Sequence, residues 1–312
     1  MAKAKHLRPG DTIGLIAPAS KPQSREKISK SVRYFESVGY RVALGKNIEK
    51  QHGYLAGTDR ERANDIHAMF ADKNVKAIFM LRGGYGTIRL LPELDYGLIK
   101  KNPKILVGYS DATSLFNAIY HKTGLLSCFY GPMPGVDIWD GFDQFAEGCM
   151  WRALTSAKPI GELPMNKNDD VLLHAKKYEP VEGRLIGGNL AVFSSSMGTP
   201  YLTSLKSKIL FFEDVAESPY RIDRYLAQLK AAGVLDKAKA ILLGQFTDCI
   251  EEDKTKPTLT TEEVFKDYFS KLDIPILKNL PSGHVKRQWT IPLGAKYRVD
   301  GRKISVIESV LE

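Results

Sequence analysis

The chain has 312 residues, room for two domains of ordinary size. Hydrophobic residues make up 43% of it and charged residues 26%, which excludes collagen-like, low-complexity and wholly disordered classes. Lys and Arg number 45 against 36 Asp and Glu, a formal charge of +9 that favours anionic partners and says nothing of fold.

The basic residues are spread out. The densest group, Lys100, Lys101 and Lys104, reads as a solvated helix end, and no nucleic-acid recognition motif accompanies it. No run of about 18 apolar residues is present, so no membrane-spanning helix is expected. The N-terminal "MAKAKHLRPGD" lacks the apolar region of a leader peptide, and the expected location is cytoplasmic. Cys128, Cys149 and Cys249 are widely spaced without a CxxC pair, which fits free thiols in a reducing compartment.

In chain order, residues 12–18 read as a buried strand. A helix follows, with Ser24 as N-cap, Ile28, Val32, Phe35 and Val38 on one face, and Gly39 as its stop. Residues 41–45 form the next strand and 58–70 the next helix. Strands are expected again at 75–81, 104–109 and 125–132. Strands separated by helices predict a parallel sheet covered on both faces. Proline and polar residues between 153 and 180 mark a boundary: a first domain over 1–165, a linker over 166–180 and a second domain over 181–312. The second domain holds apolar strands at 208–214 and 238–246 around a helix from Pro219 to Ala232. It ends in alternating segments with an Asp300-Gly301 hairpin signal.

The segment from Ile105 to Gly124 carries the most chemistry. A strand ends at Gly108, Ser110 follows, and a helix comes next. A serine on such a turn resembles a nucleophile elbow, although Ala112 replaces the second glycine of that pattern. Ser110 as a plain helix cap is the competing reading. After the third strand, "RGGYG" places Gly83, Gly84 and Gly86 in a turn with exposed backbone N–H groups. An oxyanion hole, a phosphate-binding nest and a tight strand-to-helix turn all remain open there.

A serine hydroxyl needs a base. Among six histidines, His121 lies about 16 Å along the helix from Ser110 at ~1.5 Å per residue, and His174 falls in the linker. His284, in a glycine-preceded loop, is the candidate. An imidazole base is held by a carboxylate. Glu213 stands at the end of a strand, with Asp214 and Glu217 as competitors; Asp214, Glu217 and Asp223 also fit helix N-terminal charge or partners for Arg221 and Arg224. No His, Asp and Glu group has metal-ligand spacing, so neither metal nor other cofactor is expected.

Seven segments, "GLIAPAS", "RGGYG", "GYSDAT", "YGPM", "GGNLAVFSSSMGTPY", "FFEDVAESPYRIDRYLAQLKAAG" and "SGHVKRQWTIPLGAKYRVD", occur in this order. Together, over about residues 7–310, they resemble the LD-carboxypeptidase family of serine peptidases, which includes muramoyltetrapeptide carboxypeptidases and microcin C7 self-immunity proteins. The resemblance implies an α/β fold: a flavodoxin-like parallel-sheet N-terminal domain and a smaller β-rich C-terminal domain. It implies a triad of Ser110, Glu213 and His284, with the backbone N–H groups of Gly84 and Asp111 as oxyanion donors. It also implies a homodimer and a murein tetrapeptide substrate cut at its L,D bond to release D-alanine. A carboxypeptidase must hold a free terminal carboxylate, for which Arg82 is a candidate beside its reading as a structural arginine. The rival within the family cleaves a peptide–nucleotide conjugate; the short, Trp-free stretch from Val171 to Gly187 speaks against it. A rival of another class is a non-catalytic ligand-binding protein.

Overall fold

The computed structural model describes residues 1–165 and 179–312. The expected linker lies outside the described residues except for its last two positions, as does His174. The first half runs β1 (Thr12–Ile16), α1 (Arg25–Ser37), β2 (Arg41–Leu44), α2 (Asp59–Ala71), β3 (Val75–Met80), α3 (Thr87–Leu90), α4 (Tyr96–Lys101), β4 (Ile105–Gly108), α5 (Ala112–Thr123), β5 (Cys128–Tyr130), α6 (Gln144–Leu154) and β6 (Gly161–Glu162). The second half runs β7 (Val181–Asn189), α7 (Leu190–Ser195), β8 (Ile209–Val215), α8 (Pro219–Ala231), β9 (Ala240–Thr247), α9 (Thr261–Phe269), β10 (Ile276–Leu277), β11 (Ile291–Pro292), β12 (Lys296–Asp300) and β13 (Lys303–Val306).

Local chemistry sets these boundaries. The Ser24 hydroxyl accepts from the N–H of Lys27 and starts α1, and Thr58 with Glu61 forms a reciprocal capping box on α2. Strands β1, β3 and β4 are buried almost throughout, as strands covered on both faces must be. They lie in a six-stranded sheet of order β11-β5-β4-β3-β1-β2, parallel except at β11. Its β2-β1-β3-β4-β5 portion has the flavodoxin-like order, which reverses direction between β1 and β3.

The second sheet has order β10-β9-β8-β7-β12-β13-β6. The sequence pattern pointed to antiparallel structure, and β12 and β13 do form a hairpin closed at Asp300 and Lys303. The other half, β7 to β10, is parallel. Helices α7, α8 and α9 supply the three crossovers that these parallel neighbours require.

Each sheet borrows an edge strand from the far part of the chain. Strand β11 pairs with β5, placing Ile291 opposite Tyr130, and β6 pairs with β13. The indole of the buried Trp289 donates to the carbonyl of Pro164 at 2.8 Å. Among the basic residues, Lys104 departs from the solvated helix end expected of it. It is buried, and its ammonium donates to the carbonyls of Asp72 and Val75. Burial pulls its pKa down to about 8.

Candidate active site

The carboxyl ends of β1, β3 and β4 open on the crevice where ligands bind in such sheets. They bring Ser20, the glycine turn and Ser110 together. Ser110 has φ +62, an uncommon conformation for a residue with a side chain. Helix α5 starts only at Ala112 and has Asp111 as its N-cap, while the Ser110 hydroxyl meets His284 Nε2 instead of a helix N–H. The helix-cap reading of Ser110 therefore does not describe its side chain.

The glycine turn packs directly on this elbow. A Cβ built on Gly83 would lie 3.0 Å from Ser110 Cβ and 3.2 Å from its Oγ. Gly84 has φ +114, and a Cβ there would lie 2.1 Å from the Ser20 hydroxyl oxygen. Two charged side chains fix the turn. Arg62, almost fully buried, donates to the carbonyls of Gly86, at 2.9 Å, and of Pro18. The Asp111 carboxylate accepts from the N–H of Thr87 at 2.8 Å, and the Thr87 hydroxyl donates to the Asp111 carbonyl. Burial pushes the Asp111 carboxyl up to about 6 despite these donors. Arg82, half-buried just before the turn, donates to the carbonyl of Lys21 at 3.4 Å.

The second sheet contributes the other two residues. Glu213, fully buried near the end of β8, faces His284 from the loop after β10. His284 Nδ1 is 2.8 Å from Glu213 Oε2, and its Nε2 is 3.0 Å from Ser110 Oγ. Burial pulls the imidazole pKa down, but the hydrogen bond and charge of Glu213, with the charges of Asp214 and Asp137, outweigh it. The net shift is upward from 6.5. The ring of Tyr109 stands edge-on to the imidazole, centroids 5.0 Å apart.

The rival carboxylates have other partners. Asp214 accepts from Asn189 Nδ2 and from the N–H groups of Ala191 and Val215, and burial pushes it up to about 7. Glu217 meets Arg221 at 3.4 Å, and Asp223 accepts from the Tyr268 hydroxyl. No group of three or more His, Cys, Asp and Glu suited to a metal occurs among the described residues.

Sequence reasoning gave no role to several residues that build this site. The Tyr130 hydroxyl lies 2.6 Å from Glu213 Oε1 and 3.0 Å from the Ser110 nitrogen. Asp137, pushed up to about 6 by burial, accepts from Gln288 Nε2 and the N–H of Met133. The sequence signals for Tyr130 are its place at the end of an apolar strand beside the one that leads to Ser110 and its position at the head of the "YGPM" segment. Nothing local marked Asp111 as a carboxylate clamp.

Residues 13–131 match the LD-carboxypeptidase N-terminal domain, and residues 182–299 match the LD-carboxypeptidase C-terminal domain. The chain belongs to the LD-carboxypeptidase family. The probable murein peptide carboxypeptidase of Bacillus subtilis is 39% identical, the match covering 98% of this chain and 94% of that protein. The microcin C7 self-immunity protein MccF of Escherichia coli is 33% identical, with 99% and 96% covered. A crystal structure of muramoyltetrapeptide carboxypeptidase from Oxalobacter formigenes superposes with a TM-score of 0.79 at 31% identity, covering 94% of this chain and 97% of that one. This LD-carboxypeptidase family member is thus a hydrolase of the serine carboxypeptidase class. No helix among its described residues is long and apolar enough to cross a membrane.

Proposed function

We propose that the protein is a murein tetrapeptide carboxypeptidase that releases terminal D-alanine by acyl transfer to Ser110. The observation that carries this reading is the hydrogen-bonded series Glu213–His284–Ser110, with distances of 2.8 and 3.0 Å. His284 takes the hydroxyl proton at Nε2 as Ser110 Oγ attacks the carbonyl before D-alanine. The N–H groups of Gly84 and Asp111 receive the oxyanion. They sit on backbone already fixed by Arg62 and by the Asp111 carboxylate, so little reorganisation accompanies the charge. His284 then protonates the leaving amine, and water, deprotonated by the same imidazole, cleaves the acyl-enzyme. Arg82 is assigned to the terminal carboxylate of the substrate, from its place before the glycine turn. In this reading the active unit is a homodimer, the common closed form of soluble oligomers.

The experiment is incubation with murein tripeptide, tetrapeptide and pentapeptide, with released D-alanine detected by mass spectrometry. Release from the tetrapeptide is expected. Cleavage of a peptide–nucleotide conjugate with no action on tetrapeptide would replace this reading by that of the microcin C7 self-immunity relatives. Light scattering should give about twice the chain mass of 34.8 kDa; a mass near 34.8 kDa would remove the dimer.

A further inference from the structure

Four hydrogen bonds form a closed ring that begins and ends on Ser110. Its backbone nitrogen meets the Tyr130 hydroxyl at 3.0 Å, which meets Glu213 Oε1 at 2.6 Å. Glu213 Oε2 meets His284 Nδ1 at 2.8 Å, and His284 Nε2 meets Ser110 Oγ at 3.0 Å. We infer that Tyr130 is a positioning residue that couples the backbone of Ser110 to the carboxylate orienting His284. This inference rests on the triad proposed above and deepens it.

The direction of every bond follows from the first. The N–H of Ser110 can only donate, so the phenol oxygen accepts from it. The single phenolic proton is then left for Glu213, which as a carboxylate only accepts. Glu213 Oε2 in turn requires the proton on Nδ1 of His284, which leaves the Nε2 lone pair facing the Ser110 hydroxyl. The ring thus selects the imidazole tautomer that a base needs. It also gives the uncommon φ of Ser110 a fixed partner, where surrounding structure must hold the strain.

Tyr130 suits this task. It is fully buried on β5, with the Phe211 ring edge-on at 5.4 Å and the Tyr109 ring at 6.2 Å. Burial and the charge of Glu213 hold its hydroxyl well above the usual phenol range, so it stays a donor at working pH. Strand β11 closes the outer side of β5, with Ile291 opposite Tyr130.

The donor also tempers the base. A carboxylate that shares its charge with a phenol interacts less strongly with the imidazolium. Removing the phenol should therefore raise the pH at which His284 loses its proton. The other groups that bear on His284 are unchanged by the substitution: Asp214 on β8, Asp137 before α6, and Tyr109 and Ser110 from the turn after β4.

The test reads the rate at which a fluorophosphonate labels Ser110, as a function of pH, and needs no peptide substrate. Tyr130→Phe should label roughly 10-fold more slowly at pH 7, with the acid limb moved upward by about half a pH unit. Site-specific 3-fluorotyrosine at position 130 keeps both hydrogen bonds and the fold but is a stronger donor, and should move that limb downward. With D-alanine release as the readout, Tyr130→Phe should lower kcat while KM stays within about two-fold. Wild-type rate and pH profile in Tyr130→Phe, or no movement with fluorotyrosine, would overturn the inference. Labelling of Ser110→Ala as fast as wild type would instead remove the triad on which it rests.

Discussion

His284 Nε2 lies 3.0 Å from Ser110 Oγ, although 174 positions separate the two residues. One comes from the carboxyl edge of the first sheet and the other from a loop of the second. In the triad proposed above they act with Glu213 as a unit, so Ser110→Ala and His284→Ala should each reduce turnover by roughly four to six orders of magnitude. The double variant should be little worse than either single one. Glu213→Gln keeps the shape and should cost less, roughly 10²- to 10⁴-fold. Steady-state kinetics on the tetrapeptide decides the matter, and near-wild-type turnover in Ser110→Ala would end the serine mechanism.

The glycine turn predicts a separation of activity from stability. Gly83→Ala would place a methyl 3.0 Å from Ser110 Cβ, and the turn or the elbow must give way by a few tenths of an ångström. That shift would displace the adjacent Gly84 N–H, one of the proposed oxyanion donors, and loss of one well-placed oxyanion donor costs about 10²- to 10³-fold in kcat. Gly83→Ala should therefore lower kcat by about 10²-fold, with its Tm within a few degrees of wild type. Gly84→Ala carries both the positive φ and the 2.1 Å approach to Ser20, so it should lose activity and stability together. A Gly83→Ala enzyme with unchanged kcat would show that the turn does not serve the reaction.

Much of this architecture could be read from local pattern. The apolar runs of β1, β3 and β4 and the caps at Ser24 and Thr58 are short-range signals, and the elbow at Ser110 is the turn that joins two of the expected elements. Its partners are another matter. Local pattern leaves Glu213 as one of three neighbouring acids; the family resemblance singles it out, and the structure sets its Oε2 2.8 Å from His284 Nδ1 while Asp214 is bound to the side chain of Asn189. In the second sheet the apolar runs at 208–214 and 238–246 around a helix are legible as strands, but their parallel pairing with β7 and with each other is set by contacts distant in the chain. Lys104 looked like its exposed neighbours Lys100 and Lys101. Its burial follows from packing against the carbonyls of Asp72 and Val75, contacts more than 25 positions away. The roles of the Tyr130 hydroxyl and of the Asp111 carboxylate are illegible for the same reason: their partners lie in other parts of the chain.

The protonation of His284 gives a pH prediction with a definite sign. In the proposed mechanism His284 works as a neutral imidazole base, so activity should be lost as pH falls through its pKa. That pKa is raised above 6.5 because Glu213, Asp214 and Asp137 outweigh burial. The acid limb of kcat/KM should accordingly have its midpoint above 6.5. Asp137→Asn removes one negative charge near the ring and should move the midpoint down. A wild-type midpoint near 5, or an upward move in Asp137→Asn, would contradict this account of the site's electrostatics.

The scissile bond yields the sharpest test of specificity. A carboxypeptidase recognises the charge that ends its substrate, and burying that charge without a partner is costly. A pentapeptide presents a neutral amide where the carboxylate of the tetrapeptide would lie, and it adds a residue beyond it. The cation that serves this carboxylate, assigned here to Arg82, would then be desolvated and unpaired. Such a defect is worth roughly 2–5 kcal/mol, or about 30- to several-thousand-fold in rate. Chirality enters because, in the proposed mechanism, Ser110 Oγ and the two N–H groups approach the carbonyl from fixed directions. A terminal L-alanine would turn either its methyl or its carboxylate away from the place built for it. The expected outcome is D-alanine release from the tetrapeptide and little release from the pentapeptide or from an L-alanine-terminated analogue. Arg82→Ala should raise KM for the tetrapeptide by about 10-fold or more and narrow its advantage over the pentapeptide. Comparable kcat/KM on all three peptides would sink this specificity while leaving the serine mechanism intact, and an Arg82→Ala enzyme with unaltered KM would move the carboxylate site to another cation.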